Sequence, residues 1–163
     1  MIVVTDTSVV LNLAWLREER LLQELFGQVL APPAVRAEFE RLARADHRFH
    51  GLHFPEFVTI EAPKSIPNAL SGNDDLDAGE IAALALAIER GIPYVLIDEN
   101  AGRAAAIALG LQPSGLLGIL IEAKKRQQIS EVLPLLDRLC AGARFRVGEN
   151  LRRRVAMIAG ETA

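Results

Sequence analysis

Two aspartates stand at matching places in this chain. Asp6 closes the apolar run Ile2-Val3-Val4-Thr5, and Asp98 closes the run Tyr94-Val95-Leu96-Ile97. Between them Glu80 ends Asp77-Ala78-Gly79-Glu80, at the head of the long apolar stretch Ile81 to Ile88. Carboxylates gathered without bases repel one another and raise each other's pKa. A divalent cation removes that cost. An oxygen-only set with no histidine or cysteine favours a hard ion, Mg²⁺ or Mn²⁺, which commonly bridges protein carboxylates to substrate phosphates. Phosphodiester hydrolysis is the chemistry such a set suits. Each residue also has a plainer reading. An aspartate at a strand end caps the helix that follows, Asp77 and Glu80 have the spacing of a capping box, and Glu38 on a charged helical face suits solvent.

The elements around these residues must bring them together. Ile2 to Thr5, Val29 to Ala31, Phe57 to Ile60 and Tyr94 to Ile97 read as short strands, β-branched and apolar. Helices are expected after Thr7 or Ser8, with Val9, Leu11 and Leu13 inward, from Arg20 to Gly27, and from Pro32-Pro33, with Val35, Phe39 and Leu42 inward. Pro63 to Gly72 reads as a loop. The clearest helix starts after Asp77 and is closed by Gly91. Further helices are expected over 101–109, 116–125, 132–140 and 150–158, with a short extension at Leu111-Gln112, a turn at Gly142 and an extended Arg144-Phe145-Arg146-Val147.

Strands alternating with helices predict an α/β fold with a parallel sheet covered on both faces. Right-handed crossovers then place the carboxyl ends of the strands along one edge, where ligands bind. Asp6 and Asp98 share that edge. Glu80, at a helix start, lies at that edge or the opposite one.

The 163 residues are 50% hydrophobic and 24% charged, which suits one domain spanning 1–163 and excludes disorder as the main state. A lone cysteine, Cys140, excludes an internal disulfide and suits a reducing, cytoplasmic setting and a buried thiol. The amino terminus lacks the basic region of a signal peptide. The charge-free run Ala104 to Ile121 is broken by Gln112-Pro113-Ser114, so no membrane span is expected. The net charge of −3, from 18 basic and 21 acidic residues, gives no global nucleic-acid signature, but it is unevenly spread. Residues 74–99 hold seven acids against Arg90, whereas residues 122–163 hold nine bases against five acids.

These residues resemble the PIN-domain nucleases, in particular compact bacterial and archaeal members related to VapC-like toxin ribonucleases. The resemblance is carried by Val3-Val4-Thr5-Asp6-Thr7-Ser8, by Leu76-Asp77-Ala78-Gly79-Glu80-Ile81-Ala82-Ala83-Leu84 and by Leu96-Ile97-Asp98-Glu99-Asn100-Ala101-Gly102-Arg103. It implies a PIN-like three-layer α/β/α fold with a central, mostly parallel sheet. It also implies a metal-dependent endoribonuclease in which Asp6, Glu80 and Asp98 hold Mg²⁺ or Mn²⁺. A further catalytic acid would fall at Glu38 within Val35-Arg36-Ala37-Glu38, with Glu40 close by. Ser8 resembles the hydroxyl residue that supports a ligand or water, and Arg103 the base after the last acid. Many toxin relatives have aspartate where this chain has Glu80.

Other signals rank lower. His47, His50 and His53 are interrupted by Gly51 and accompanied by no cysteine, so they read as a solvated segment rather than a transition-metal site. Lys124-Lys125-Arg126 and Arg152-Arg153-Arg154 read as solvated helix faces with a slight preference for RNA. A haloacid-dehalogenase phosphatase needs a second acid where Ser8 stands. A catalytically weak PIN-fold module for RNA or protein binding is the non-enzymatic alternative. The large aliphatics of Leu11 to Phe26 and Leu116 to Ile121 exceed what one small domain needs to bury, which predicts exposed apolar surface and a homodimer. The resemblance adds a small antitoxin partner that would block the acidic groove.

Overall fold

A computed structural model describes residues 1–162. In chain order the elements are β1 (Ile2–Thr5), α1 (Thr7–Trp15), α2 (Arg20–Phe26), β2 (Gln28–Ala31), α3 (Pro33–Ala45), β3 (Thr59–Ile60), α4 (Asn68–Ser71), α5 (Ala78–Arg90), β4 (Tyr94–Leu96), α6 (Asn100–Ala108), β5 (Gln112–Ser114), α7 (Leu116–Lys125), α8 (Leu133–Gly142) and α9 (Glu149–Ala159). Among the described residues the strands form one five-stranded sheet, ordered β3-β2-β1-β4-β5, in which every pair is parallel.

Both faces of the sheet are covered, so its strands are apolar throughout, with neighbouring side chains serving opposite cores. Val3, Val29, Ala31 and Leu96 join one cluster with α1, α2, α3, α7, α8 and α9. Val4, Leu30, Val95 and Ile97 join the other with α5 and α6. The result is a three-layer α/β/α arrangement, as the alternating elements predict.

The strand order places the reversal of winding beside β1. The chain builds outward through β2 and β3, then returns to lay β4 on the other side of β1 and β5 beyond it. In open parallel sheets the crevice at such a switch point, outside the carboxyl ends of the strands, is where ligands bind. Here the residues at those ends are Asp6 and Asp98. The Asp6 N–H donates to Leu96 O at 2.9 Å, fastening the end of β1 to the end of β4.

Several expectations need correction. Within the predicted loop at 63–72, Asn68–Ser71 closes a helical turn that buries Leu70, an apolar residue with no periodic neighbours to announce it. Only Thr59 and Ile60 of the run from Phe57 pair in the sheet. α8 continues to Gly142, which packs directly beneath the Trp15 indole, where a Cβ would overlap the ring. Cys140 is exposed, because α8 buries Leu133, Leu136 and Leu139 on its other side. Of the two aliphatic stretches, Leu11, Leu13, Leu16, Leu21, Leu22, Leu25, Leu116, Ile119 and Leu120 are buried within the chain, while Trp15, Phe26, Leu117 and Ile121 are partly buried. The exposed large apolar residues lie elsewhere, at Ile107, Leu151, Met157 and Ile158 among others. No helix among the described residues is long and apolar enough to cross a membrane.

Candidate acidic site

Asp6 is only 3% exposed. Its carboxylate caps α1, accepting from Val9 N–H at 3.0 Å and from the Ser8 hydroxyl at 3.3 and 3.4 Å. The capping reading and the site reading therefore describe the same residue. Burial pushes its pKa well above the usual carboxylate range; the Val9 N–H opposes this, and the charges of Asp98 and Glu80 add to it.

Glu80 is 5% exposed and divides its two oxygens. Oε1 accepts from Asp77 N–H at 3.1 Å, while the Asp77 side chain accepts from Glu80 N–H at 2.8 Å, completing a capping box. Oε2 is buried with no hydrogen-bond partner among the described residues. Burial, with help from the charges of Asp77 and Glu99, pushes Glu80 up to about 7. Its Oε2 lies against Gly102 in the helix that follows Asp98.

Asp98 caps a helix, but not the one that follows it. Its Oδ1 accepts from Leu116 N–H at 2.8 Å, the first residue of α7, whose own N-cap position is Gly115. A Cβ on Gly115 would stand 2.5 Å from Oδ1, so glycine there makes room for the carboxylate. Oδ2 is buried with no hydrogen-bond partner among the described residues. Burial raises the Asp98 pKa; the Leu116 N–H and the Arg103 guanidinium oppose this. Arg103 is itself held by a hydrogen bond from Nη1 to Ile97 O at 3.2 Å.

Asp6 and Asp98 thus stand at adjacent strand ends, with Ser8 on Asp6 and Arg103 beside Asp98, and Glu80 Oε2 lies against Gly102 in the helix that follows Asp98. Glu38 is not brought in: it is partly exposed on α3 and held by Arg41 at 2.8 and 3.1 Å. Glu40 is likewise paired, with Arg36 at 2.9 Å.

Two orphaned carboxylate oxygens and two glycine cradles are what a hard cation would exploit, since Gly102 leaves room for Glu80 Oε2 as Gly115 does for Asp98. The donor chemistry fits Mg²⁺ or Mn²⁺. As placed, no three His, Cys, Asp or Glu side chains among the described residues form a group that could hold a metal ion, and this includes the three histidines.

Beside the acids lies a cavity of about 980 Å³, reached by Asp98 and Ser8 but not by Asp6 or Glu80. Its wall includes residues that the sequence reading missed. Asn12 is a buried polar residue one turn beyond Ser8. Its signal was a lone amide inside the apolar run Val9 to Ala14. Glu99, Arg144 and Arg146 line the same space.

A family model described as PIN domain matches residues 2–161. No curated protein and no solved structure matches the chain.

Proposed function

The chain belongs to the PIN-domain family, whose members are generally nucleases, and on that premise we propose that it is a metal-dependent endoribonuclease that hydrolyses RNA phosphodiester bonds. The observation that supports this reading is the pair of orphaned carboxylate oxygens, Glu80 Oε2 and Asp98 Oδ2, buried without a partner among the described residues beside the strand ends that carry Asp6 and Asp98. Buried acceptors left without donors are costly unless a ligand completes them.

In this reading Asp6, Glu80 and Asp98 would hold Mg²⁺ or Mn²⁺. A bound divalent cation supplies positive charge that offsets the carboxylates and the attacked phosphate. The chain does the rest. Asp98, at the cavity wall, sets where the scissile phosphate comes to rest, and Arg103 beside it offers a donor to a phosphate oxygen. Ser8 holds Asp6 in place. Leu116 N–H fixes one Asp98 oxygen and leaves the other directed inward. Glu38 enters this mechanism only if its pairing with Arg41 is given up. The toxin half of a toxin–antitoxin module is the biological setting the resemblance implies, and copurification with the product of the neighbouring reading frame tests it.

A second reading, a PIN fold kept as an RNA-binding or interaction module, is favoured by the lack, among the described residues, of three His, Cys, Asp or Glu side chains grouped to hold a metal. Thermal unfolding with added Mg²⁺ or Mn²⁺ separates the two, because a ligand that binds only the folded chain raises its stability. The nuclease reading expects stabilisation, cleavage of a labelled RNA that EDTA stops, and loss of cleavage in Asp6→Asn and Asp98→Asn. Full activity in either variant, free of contaminating nuclease, overturns it.

A further inference from the structure

We propose that Arg144 and Arg146, on the segment joining α8 to α9, grip the backbone phosphates of single-stranded RNA on either side of the nucleotide presented to Asp98. The proposal rests on the nuclease reading of the acidic site and names how that site holds its substrate.

Three observations converge on these two residues. First, both line the cavity that Asp98 and Glu99 also line. One cavity therefore carries carboxylates suited to a cation and guanidinium groups suited to phosphate, a combination that accommodates a polyanion extending beyond the metal site.

Second, these arginines are free where the other basic clusters of the carboxyl-terminal half are engaged. Lys124 pairs with Glu161, Arg126 with Glu122, Arg152 with Asp137 and Arg153 with Glu149. The helix triplets that the sequence offers for phosphate are thus largely bound to acids. Among the described residues, Arg144 and Arg146 have no carboxylate within salt-bridge distance, although both are exposed.

Third, Arg144 has φ +57°, in the left-handed region that glycine adopts at little cost and arginine does not. The turn at the end of α8 would be easier to build with glycine. Arg144→Gly is therefore a substitution that the backbone tolerates, which separates the role of the side chain from that of the turn.

The segment is also held firmly enough to act as a grip. Arg48 donates to Ala143 O at 3.0 Å, Phe145 N–H donates to Leu139 O at 3.1 Å, and Phe145 packs against the core between the two outward arginines. Arg144 turns the chain in the left-handed region, and both arginines are exposed while Phe145 between them is partly buried against the core.

The test uses the full chain. Binding of an end-labelled, unstructured RNA oligonucleotide is measured against salt in an Asp98→Asn background, where Asn can still accept from Leu116 N–H. Arg144→Gly and Arg146→Ala should each weaken binding several-fold and lower the slope of log affinity against log salt by about 0.7, the value for one phosphate contact on a single strand. Arg144→Gly should unfold at the same or a higher temperature than its parent, and Arg144→Lys should keep the salt slope. With Asp98 restored, KM for RNA should rise while kcat holds. An unchanged salt slope and affinity in the double variant overturn the proposal, as does displacement of RNA by polyglutamate with no dependence on either arginine. Metal-dependent cleavage with arginine-independent binding would sink the grip and leave the nuclease reading standing. Arginine-dependent RNA binding without cleavage would do the reverse.

Discussion

Asp77 and Glu80 hold one another at the start of α5, each side chain accepting from the other's backbone N–H, and this reciprocal cap occupies only one of Glu80's two carboxylate oxygens. Capping and site chemistry are therefore not rival readings of Glu80, because the cap fixes the rotamer that leaves Oε2 buried at the acidic edge. The two roles separate by mutation. Asp77→Ala should cost about 1 kcal/mol of stability in a urea titration, as the loss of an N-cap does, while retaining stabilisation by Mg²⁺. Glu80→Gln keeps an acceptor for Asp77 N–H and removes a buried charge, so it should unfold no more easily at pH 8 yet lose the Mg²⁺ response. A Glu80→Gln protein that responds to Mg²⁺ like its parent would remove Glu80 from the metal set.

The pH dependence of stability follows from the same burial. Asp6, Glu80 and Asp98 all have raised pKa values in the folded chain, Glu80 up to about 7. Over that window the folded state binds more protons than the unfolded state, so stability falls as pH rises from the ordinary carboxylate range through about 7. Asp46, lowered to about 2 by Arg48, works in the opposite sense and loses its contribution only in acid. Without added metal the chain should be more stable at pH 5.5 than at pH 8, by roughly 1 to 3 kcal/mol for the acidic group together. Added Mg²⁺ should narrow the gap by acting mainly at pH 8, where the carboxylates are free of protons. Urea midpoints at the two pH values, with and without Mg²⁺, check both statements.

Much of this arrangement was legible in the sequence because it rests on local signals. The apolar runs before Asp6 and Asp98 fixed two neighbouring parallel strands, and the Asp77 to Gly91 pattern fixed α5 with both of its caps. What stayed hidden depends on contacts between distant segments. Nothing near Asp98 announces that it caps α7, eighteen residues on, and only Gly115 hints at it. Glu38 reads as an acid for the site from its neighbours, but its partner is Arg41 on its own helix. Most of the large aliphatics of α1, α2 and α7 share one core with α8 and α9, a packing that no local pattern in the sequence announces.

Gly102 and Gly115 test whether the space around the carboxylates is functional. Gly102 lies inside α6, where helix propensity alone favours alanine by about 1 kcal/mol. A methyl group there would nevertheless overlap Glu80 Oε2 and crowd Ile97 at 2.8 Å. Gly115 has φ −103°, which any residue adopts, so Gly115→Ala acts through Asp98 rather than through the backbone. Both substitutions should reduce RNA cleavage and the Mg²⁺-induced rise in unfolding temperature. Unimpaired cleavage in Gly115→Ala, with the fold intact, would show that Asp98 does not need the orientation given by the Leu116 N–H.

Glu161 supplies a prediction about stability away from the acids. Its side chain is 6% exposed and accepts from Lys124 Nζ, Val132 N–H and Leu133 N–H, each at 2.8 Å, fastening the chain after α9 to α7 and to the start of α8. Burial pushes its pKa up, but these three donors hold it below the ordinary value. Its stabilisation is therefore present above the ordinary glutamate range and is lost as pH falls through the lowered pKa, opposite in sense to Glu80. Glu161→Ala leaves an ammonium and two helix-start N–H groups without their acceptor, which should cost about 2 to 3 kcal/mol. Glu161→Gln retains an acceptor oxygen and should cost less. Because α8 leads directly into the segment carrying Arg144 and Arg146, Glu161→Ala should also weaken RNA binding. Urea titration and RNA affinity measured on the same protein check this together: lost stability with unchanged affinity would mean that the grip is held by Arg48 and Phe145 alone.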